Sequence, residues 1–442
     1  MKKILMLIGF LLVQNLGYGQ SDGSDILNMK DRAATINRLL EDKVQNYLPE
    51  IMRREGIDMW VVISREYNED PIIKTLLPAE WLAARRRTIL VFFDRGNEEI
   101  ESLAVARYDV GSIFKSAWNK EKQPDQWARL AEIIKERNPK KIGINKSEYF
   151  GLADGIVATD FEEFEAALDK KDRAKIVSAE KVAIGWLETR TAAEMAIYPH
   201  IVKISHNIIA EAFSPKVITP GVTTTEDVVW WMREKVRELK MVAWFHPTVD
   251  VQRADPENFD HLRTFSKRPE QNVIMPGDLL HCDFGITYLR LNTDQQQHFY
   301  VLRPGESDVP EYLKQAYKKG NRLQDIFTSN FKEGRSGNEV LKMSREQAIA
   351  EGIKPSIYTH PIGYHGHGSG TTLGMWDSQG GVPVTGDYPL HLNTAYSIEL
   401  NASVFIEEWG KEIRIMLEEE AFFDETGVWY IDGRQEKIHI IN

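Results

Sequence analysis

The chain has a single cysteine, Cys282, in 442 residues, so no disulfide can form within it. Its fold must be held by core packing or by a bound group. It also lacks a basic excess. A formal net charge of −11 argues against a partner recognised through a phosphate backbone, which calls for a basic face. The run Arg85-Arg86-Arg87 is therefore read as solvated or salt-bridged. Beyond the first twenty residues no apolar run approaches the length of a membrane span, and no low-complexity tract or repeat is present. What remains is the composition of a globular enzyme, 42% hydrophobic and 27% charged, long enough for two domains.

The first residues differ from the rest. MKK is a basic start, ILMLIGFLLV an apolar core, and Gly17-Tyr18-Gly19 sets small residues at a cleavage site. This pattern predicts a secretory signal over 1–19, and hence a periplasmic or secreted protein with no membrane segment once mature. No cysteine follows the apolar run, so a lipid anchor is not expected.

From about 25 to 180 the pattern alternates between helix and strand. TINRLLEDKVQNYLPEIMRREG has helical spacing and stops at Gly56; DMWVVIS and TILVFFD are short runs rich in β-branched and aromatic residues. DQWARLAEIIKERNPKKIGIN repeats helix then strand. This predicts a compact α/β domain with no catalytic constellation of its own. A second unit is expected over 187–442, with the boundary in 175–188. It opens on Thr191-Ala-Ala-Glu194, a capping box for a helix running to Phe213 and kinked at Pro199. Thr223-Thr-Thr-Glu226 is read as a second cap, for VVWWMREKVREL. Strand-rich sequence follows, so helices flanking a curved antiparallel sheet are expected.

The stretch HCDFGITYLRLNTDQQQHF, 281–299, sets Asp283 and Asp294 among Phe, Ile, Tyr and Leu. An ionised carboxylate in such a setting needs a cation, donors or solvent. A hairpin turning near Tyr288-Leu289 would bring both acids to one face. Two acids there suggest a divalent metal, though the pair alone is also what exposed or capped aspartates look like. Downstream, THPIGYHGHGSG carries His360, His365 and His367; SIELNASV carries Glu399; and IRIMLEEEAFF carries Glu418.

In this order the motifs resemble the pita-bread metallopeptidases, the Xaa-Pro aminopeptidases and prolidases with a creatinase-like N-terminal domain. The D-x-G…D motif is matched by Asp283-Phe-Gly285…Asp294, and the histidine segment by Gly366-His367-Gly368-Ser369-Gly370. The two glutamate positions are matched by Ser397-Ile398-Glu399, and by Glu418 from its distance to Glu425-Thr-Gly427. At the last position, alignment on Arg414-Ile415 would select Met416 instead, and Glu420 is the alternative to Glu418; all three are expected on one strand face. The resemblance implies an α+β fold, a pita-bread catalytic domain with a smaller α/β N-terminal domain. It implies metal ligands Asp283, Asp294, His367, Glu399 and Glu418, with Asp283 and Glu418 bridging.

The implied reaction is hydrolysis of the bond before proline by a hydroxide bridging two divalent ions. A carboxylate-rich shell suits Mn²⁺, with Zn²⁺, Co²⁺ or Fe²⁺ left open. The implied substrate is a peptide with proline at its second position, and the implied assembly a homodimer. Glu399 would shuttle the proton and His261 would orient the substrate, with His246 its competitor. The family places a catalytic histidine where this chain has Trp376, so His365 or Tyr364 is the substitute. That departure keeps two alternatives open: a metalloenzyme acting on a non-peptide substrate, such as a lyase, and a non-catalytic binding protein.

Overall fold

In the run MWVVISR successive side chains leave the backbone on opposite sides, yet nearly all are buried. A strand of this kind needs cover on both faces. The computed structural model describes residues 26–96, 99–254 and 272–442; the expected signal and His261 lie outside them. The run forms β1 (Met59–Arg65), followed by β2 (Arg87–Asp94), β3 (Ile100–Ala104), β4 (Lys115–Ser116), β5 (Ile142–Ile144) and β6 (Ile176–Ser178). They make one mixed sheet in the order β4-β3-β2-β1-β5-β6. Trp60, Val62, Leu90 and Phe92 join one core with Leu40, Val44, Met52 and Trp186. Met59, Val61, Ile63, Ile89 and Val91 join the other, with Leu130, Ile133, Ile134 and Phe164. Helices thus cover both faces, as the α/β pattern requires. The helix Glu180–Glu188, inside the expected boundary region, packs into the first of these cores.

The second lobe contains β7 (Thr248–Gln252), β8 (Leu279–Phe284), the hairpin β9–β10 (Thr287–Tyr288, Leu291–Asn292) and β11 (Gln295–Val301). Then come β12 (Lys354–Ile357), β13 (His360–Pro361), β14 (Thr394–Ser397), β15 (Leu400–Ile406), β16 (Lys411–Leu417), β17 (Glu420–Asp424), β18 (Gly427–Tyr430) and β19 (His439–Ile441). Three antiparallel-rich sheets result, ordered β19-β11-β8-β7, β12-β15-β16 and β13-β14-β17-β18. Helices Tyr198–Ala212 and Thr225–Glu238 pack Ile201, Ile208, Val228 and Met232 with Leu280, Cys282, Phe284 and Phe299 of the first sheet. Helices Glu311–Ser329 and Gly337–Ala350 pack Leu313, Tyr317, Leu323 and Leu341 with Leu400, Ala402, Ile413 and Ile415 of the second. Cys282 is fully buried, and burial pushes its thiol well up. Among the described residues no helix is long and apolar enough to cross a membrane.

Three expectations shift. Thr191 does cap a helix, with Glu194 completing the box, but that helix ends at Met195 and a new one begins at Tyr198. Pro199 sits in the first turn of the new helix, where its missing N–H costs nothing, so it starts a helix and does not kink one. The second cap is Thr224 with Asp227, one residue later than expected, because Thr223 Oγ1 instead accepts from Thr219 N. The hairpin turns at Leu289-Arg290, both at positive φ (52° and 67°). This turn favours Asn or Gly; here it is held by the burial of Leu289 and by Arg290 Nη1 donating to Leu77 O (2.8 Å) of the first lobe.

Candidate metal centre

Register decides which acids meet. On β8 and β11, Asp283 is paired with Gln296, and Gln296 is in turn bridged to Glu418. Asp294 lies just before β11, and β14 runs antiparallel to β17 so that Ser397 faces Glu420. These crossings gather three overlapping groups: Asp283, Asp294 and Glu418; His360, Glu399 and Glu418; and Asp294, His360 and His367. Within each group the ligand atoms lie within 4.8 Å of one another. Asp294 and Glu418 are buried, His360 is half-buried and His367 is exposed.

Electrostatics make the cluster costly as it stands. Burial, then the carboxylates of Glu418, Asp283 and Glu399, hold Asp294 well above the usual range. Burial, then Glu418 and Asp283, do the same to Glu399. Burial and the neighbouring His360 push His367 down, so it is a neutral imidazole with a lone pair to offer. Asp294 Oδ1 and His360 Nε2 are buried with no hydrogen-bond partner. His360 Nε2 stands 3.6 Å from Glu418 Oε1 and 3.8 Å from Asp294 Oδ2, beyond hydrogen-bond reach but spanned by an ion bound at about 2.1 Å from each donor. Carboxylate oxygens and imidazole nitrogens converging on one point fit divalent cations.

Residues 198–438, over half of the chain, match the model of metallopeptidase family M24. The chain belongs to this family. Its fold is similar to that of an X-Pro aminopeptidase from Thermotoga maritima (TM-score 0.62, 16% identity, 88% of this chain and 99% of that one). It is also similar to an Xaa-Pro dipeptidase from Bacillus anthracis (0.57, 16%, 93% and 100%) and a prolidase from Pyrococcus horikoshii (0.53, 15%, 92% and 99%). These likenesses bear on the pita-bread fold and its two-lobed arrangement. No curated protein sequence matches significantly. An M24 member is a metal-dependent peptidase, and the cluster is a candidate for its metal site.

Within this M24 site Asp283, Asp294, Glu399, Glu418 and His367 come together, and His360 joins them in two of the three groups. Glu418 and Glu420 do not share a strand face. β16 ends at Leu417 and β17 begins at Glu420, and the chain changes sheet between them. Glu418 enters the cluster, Glu419 turns to His206, and Glu420 accepts from the Asp294 backbone N–H. Met416 donates its backbone N–H to His298 Nε2 (2.9 Å). His365 is in none of the groups; its buried Nε2 has no hydrogen-bond partner, and burial, Lys74 and Arg190 push it down. Tyr364 is committed elsewhere: its hydroxyl donates to Glu194 (2.5 Å), and Lys43 Nζ lies 4.4 Å from the ring centroid. His246 is exposed, beside Trp230 and Arg233.

Sequence reasoning passed over Trp244. Its indole fills the space that a Cβ on Gly285 or Gly366 would enter, at 2.4 Å and 2.3 Å. Its Nε1 donates to Thr293 O (2.8 Å), and its ring packs edge-on to His367 at 5.2 Å. The glycines of both motifs are therefore explained by one wedge that locks the aspartate hairpin to the histidine segment. At Gly285 a Cβ would also meet Thr293 O at 2.1 Å. Gly285→Ala is expected to cost about 1–3 kcal/mol in urea unfolding, as overpacking does, and to weaken metal uptake through the displaced Asp294.

Proposed function

We propose that the chain is an exported Xaa-Pro aminopeptidase or dipeptidase, hydrolysing the bond before proline in peptides with proline second. The single observation that carries the chemistry is the convergence of four carboxylates and two imidazoles in a partly buried cluster of the M24 domain. The activities for which the similar structures are named support the substrate class. In this reading Asp283, Asp294, Glu399 and Glu418 hold two ions together with His360, His367 or both. Asp294, Glu418 and His360 each belong to two of the three groups, and in this reading the two carboxylates among them, Asp294 and Glu418, would be the shared ligands. The oxygen-rich shell suits Mn²⁺. When bound, the ions supply Lewis acidity and a water that ionises near neutral pH.

The protein's own groups do the rest. In this reading Glu399, ionised beside the bound ions, would take a proton at its carboxylate and return it to the leaving nitrogen. Trp244, packed edge-on to His367, would wall one side of the site. His365 keeps its place because its buried Nε2 has no protein partner and can meet a polar atom of the substrate. His261, outside the described residues, is the substrate-orienting group. A homodimer completes the proposal.

Release of the first residue from Xaa-Pro peptides, by mature protein stripped of metal and reloaded with Mn²⁺, tests it. Rapid turnover that vanishes when proline is replaced by alanine is the expected result. Metal uptake without turnover would instead favour the second reading, a metalloenzyme acting on a non-peptide substrate. Trp376 favours that reading, since it stands at the family histidine position and is 73% exposed.

A further inference from the structure

Behind the carboxylates lies a polar chain that neither the motifs nor the reaction above uses. Gln296 Nε2 donates to Glu399 Oε1 (2.6 Å) and to Glu418 Oε2 (2.6 Å). Its Oε1 lies 2.9 Å from His281 Nε2, and His281 Nδ1 lies 3.4 Å from Asp250 Oδ2. Gln296, His281 and Asp250 are all buried. We infer that Gln296 is a positioning residue of the metal centre, held in one amide orientation by His281, and that this pair sets which oxygen of Glu399 and of Glu418 faces the ions. The inference rests on the two-ion reading of the cluster.

The chemistry leaves little freedom. A primary amide has two N–H donors and one acceptor oxygen. With both donors spent on carboxylates, Oε1 must point away and must receive a hydrogen bond, which His281 gives when it carries a proton on Nε2. With both carboxylates ionised, as metal ligands must be, a flipped amide would set its oxygen 2.6 Å from two carboxylate oxygens with no proton between them, a repulsive arrangement in a buried site. His281 therefore selects the orientation in which Gln296 relieves the acidic cluster. The consequence is specific. Occupying Glu418 Oε2 leaves Oε1, which accepts only from Ser397 Oγ (2.7 Å) among the described residues, as the atom facing His360 Nε2 at 3.6 Å. Occupying Glu399 Oε1 likewise leaves Oε2 to turn inward. Outer-shell partners of this kind orient ligands without touching the metal. The strand register supplies the position, since Gln296 is paired with Asp283 on one side and bridged to Glu418 on the other.

Mn²⁺ binding to the mature, chelator-stripped chain, followed by calorimetry, provides the test. Gln296→Met keeps the length but removes the donors, and is expected to weaken Mn²⁺ binding about 10–100-fold. His281→Met should weaken it comparably. His281→Gln, which can still donate to Oε1, should bind within about threefold of wild type. The double variant Gln296→Met/His281→Met should bind no more weakly than Gln296→Met alone, since His281 acts through Gln296. Urea unfolding in chelator confirms that each variant folds, and should one methionine variant fail to, the His281→Gln comparison still decides. Wild-type affinity in Gln296→Met, equal losses in His281→Gln and His281→Met, or additive losses in the double variant would overturn the inference. Failure of wild type to bind Mn²⁺ would bring down the two-ion reading itself, and this inference with it.

Discussion

Titrated with Mn²⁺ after chelation, wild-type protein is expected to take up two ions and Asp294→Ala one or none. Hydrolysis of an Xaa-Pro peptide should fall by about 10³-fold or more. Asp294 earns this effect by position. It belongs to two of the three ligand groups, it is buried, and one of its oxygens has no protein partner. Loss of a ligand shared between ions removes geometry from both. The metal-free proteins should show the opposite order. Burial and four acidic neighbours hold Asp294 above its ordinary range, so in the fold its ionised form is disfavoured and destabilises the chain near neutral pH. Without metal, Asp294→Ala should therefore melt no lower than wild type; with Mn²⁺, wild type should melt well above it. An unchanged ion count in Asp294→Ala would refute Asp294 as a ligand, and a large loss of metal-free stability would refute the account of the cluster as strained.

The acids of this site could be read in the sequence because each breaks a local rule. Asp283, Glu399 and Glu418 interrupt runs of residues that otherwise seek burial, and that is costly unless something compensates. The two-lobed α/β and strand-rich order was legible for a similar reason, since a fully apolar strand such as β1 announces cover on both faces. What sequence could not separate was His360 from His367. Both lie in a glycine-rich segment without periodicity, and only the pairing of β13 with β14, which sets His360 opposite Ser397, turns His360 toward Glu418. Trp244 and Gln296 were missed because neither is anomalous where it stands. An aromatic before a Phe-His pair reads as core, and a glutamine in QQQHF reads as an ordinary polar residue. Their roles exist only across strands. The misread Pro199 is a different error: a helix-period pattern ran across two helices, and the proline marked a start, not a bend.

His206 carries the second large expectation. It lies on the helix Tyr198–Ala212, with Nε2 2.7 Å from Glu419 and Nδ1 2.9 Å from Asp432. Burial alone would lower its pKa, but Glu419 and Asp432 outweigh burial and raise it to about 10. The imidazolium is thus the counter-charge of Glu419, which also accepts from Gln297 and so pins the chain where it leaves Glu418 for the next sheet. A group whose pKa is raised by folding contributes stability that is complete below its unfolded value, about 6.5, and that disappears as pH climbs to the folded value. His206→Gln should therefore lose several kcal/mol against wild type at pH 6.5, on the scale seen when one partner of a buried ion pair is removed, about 3–5 kcal/mol. The deficit should shrink by roughly 1.4 kcal/mol per pH unit on the way to pH 10. Urea unfolding of both proteins at pH 6.5, 8 and 9.5 measures the difference directly, and the titrations that they share cancel. A deficit that stayed constant across that range would mean that His206 contributes shape and hydrogen bonds only, and that the positive charge balancing Glu419 comes from elsewhere.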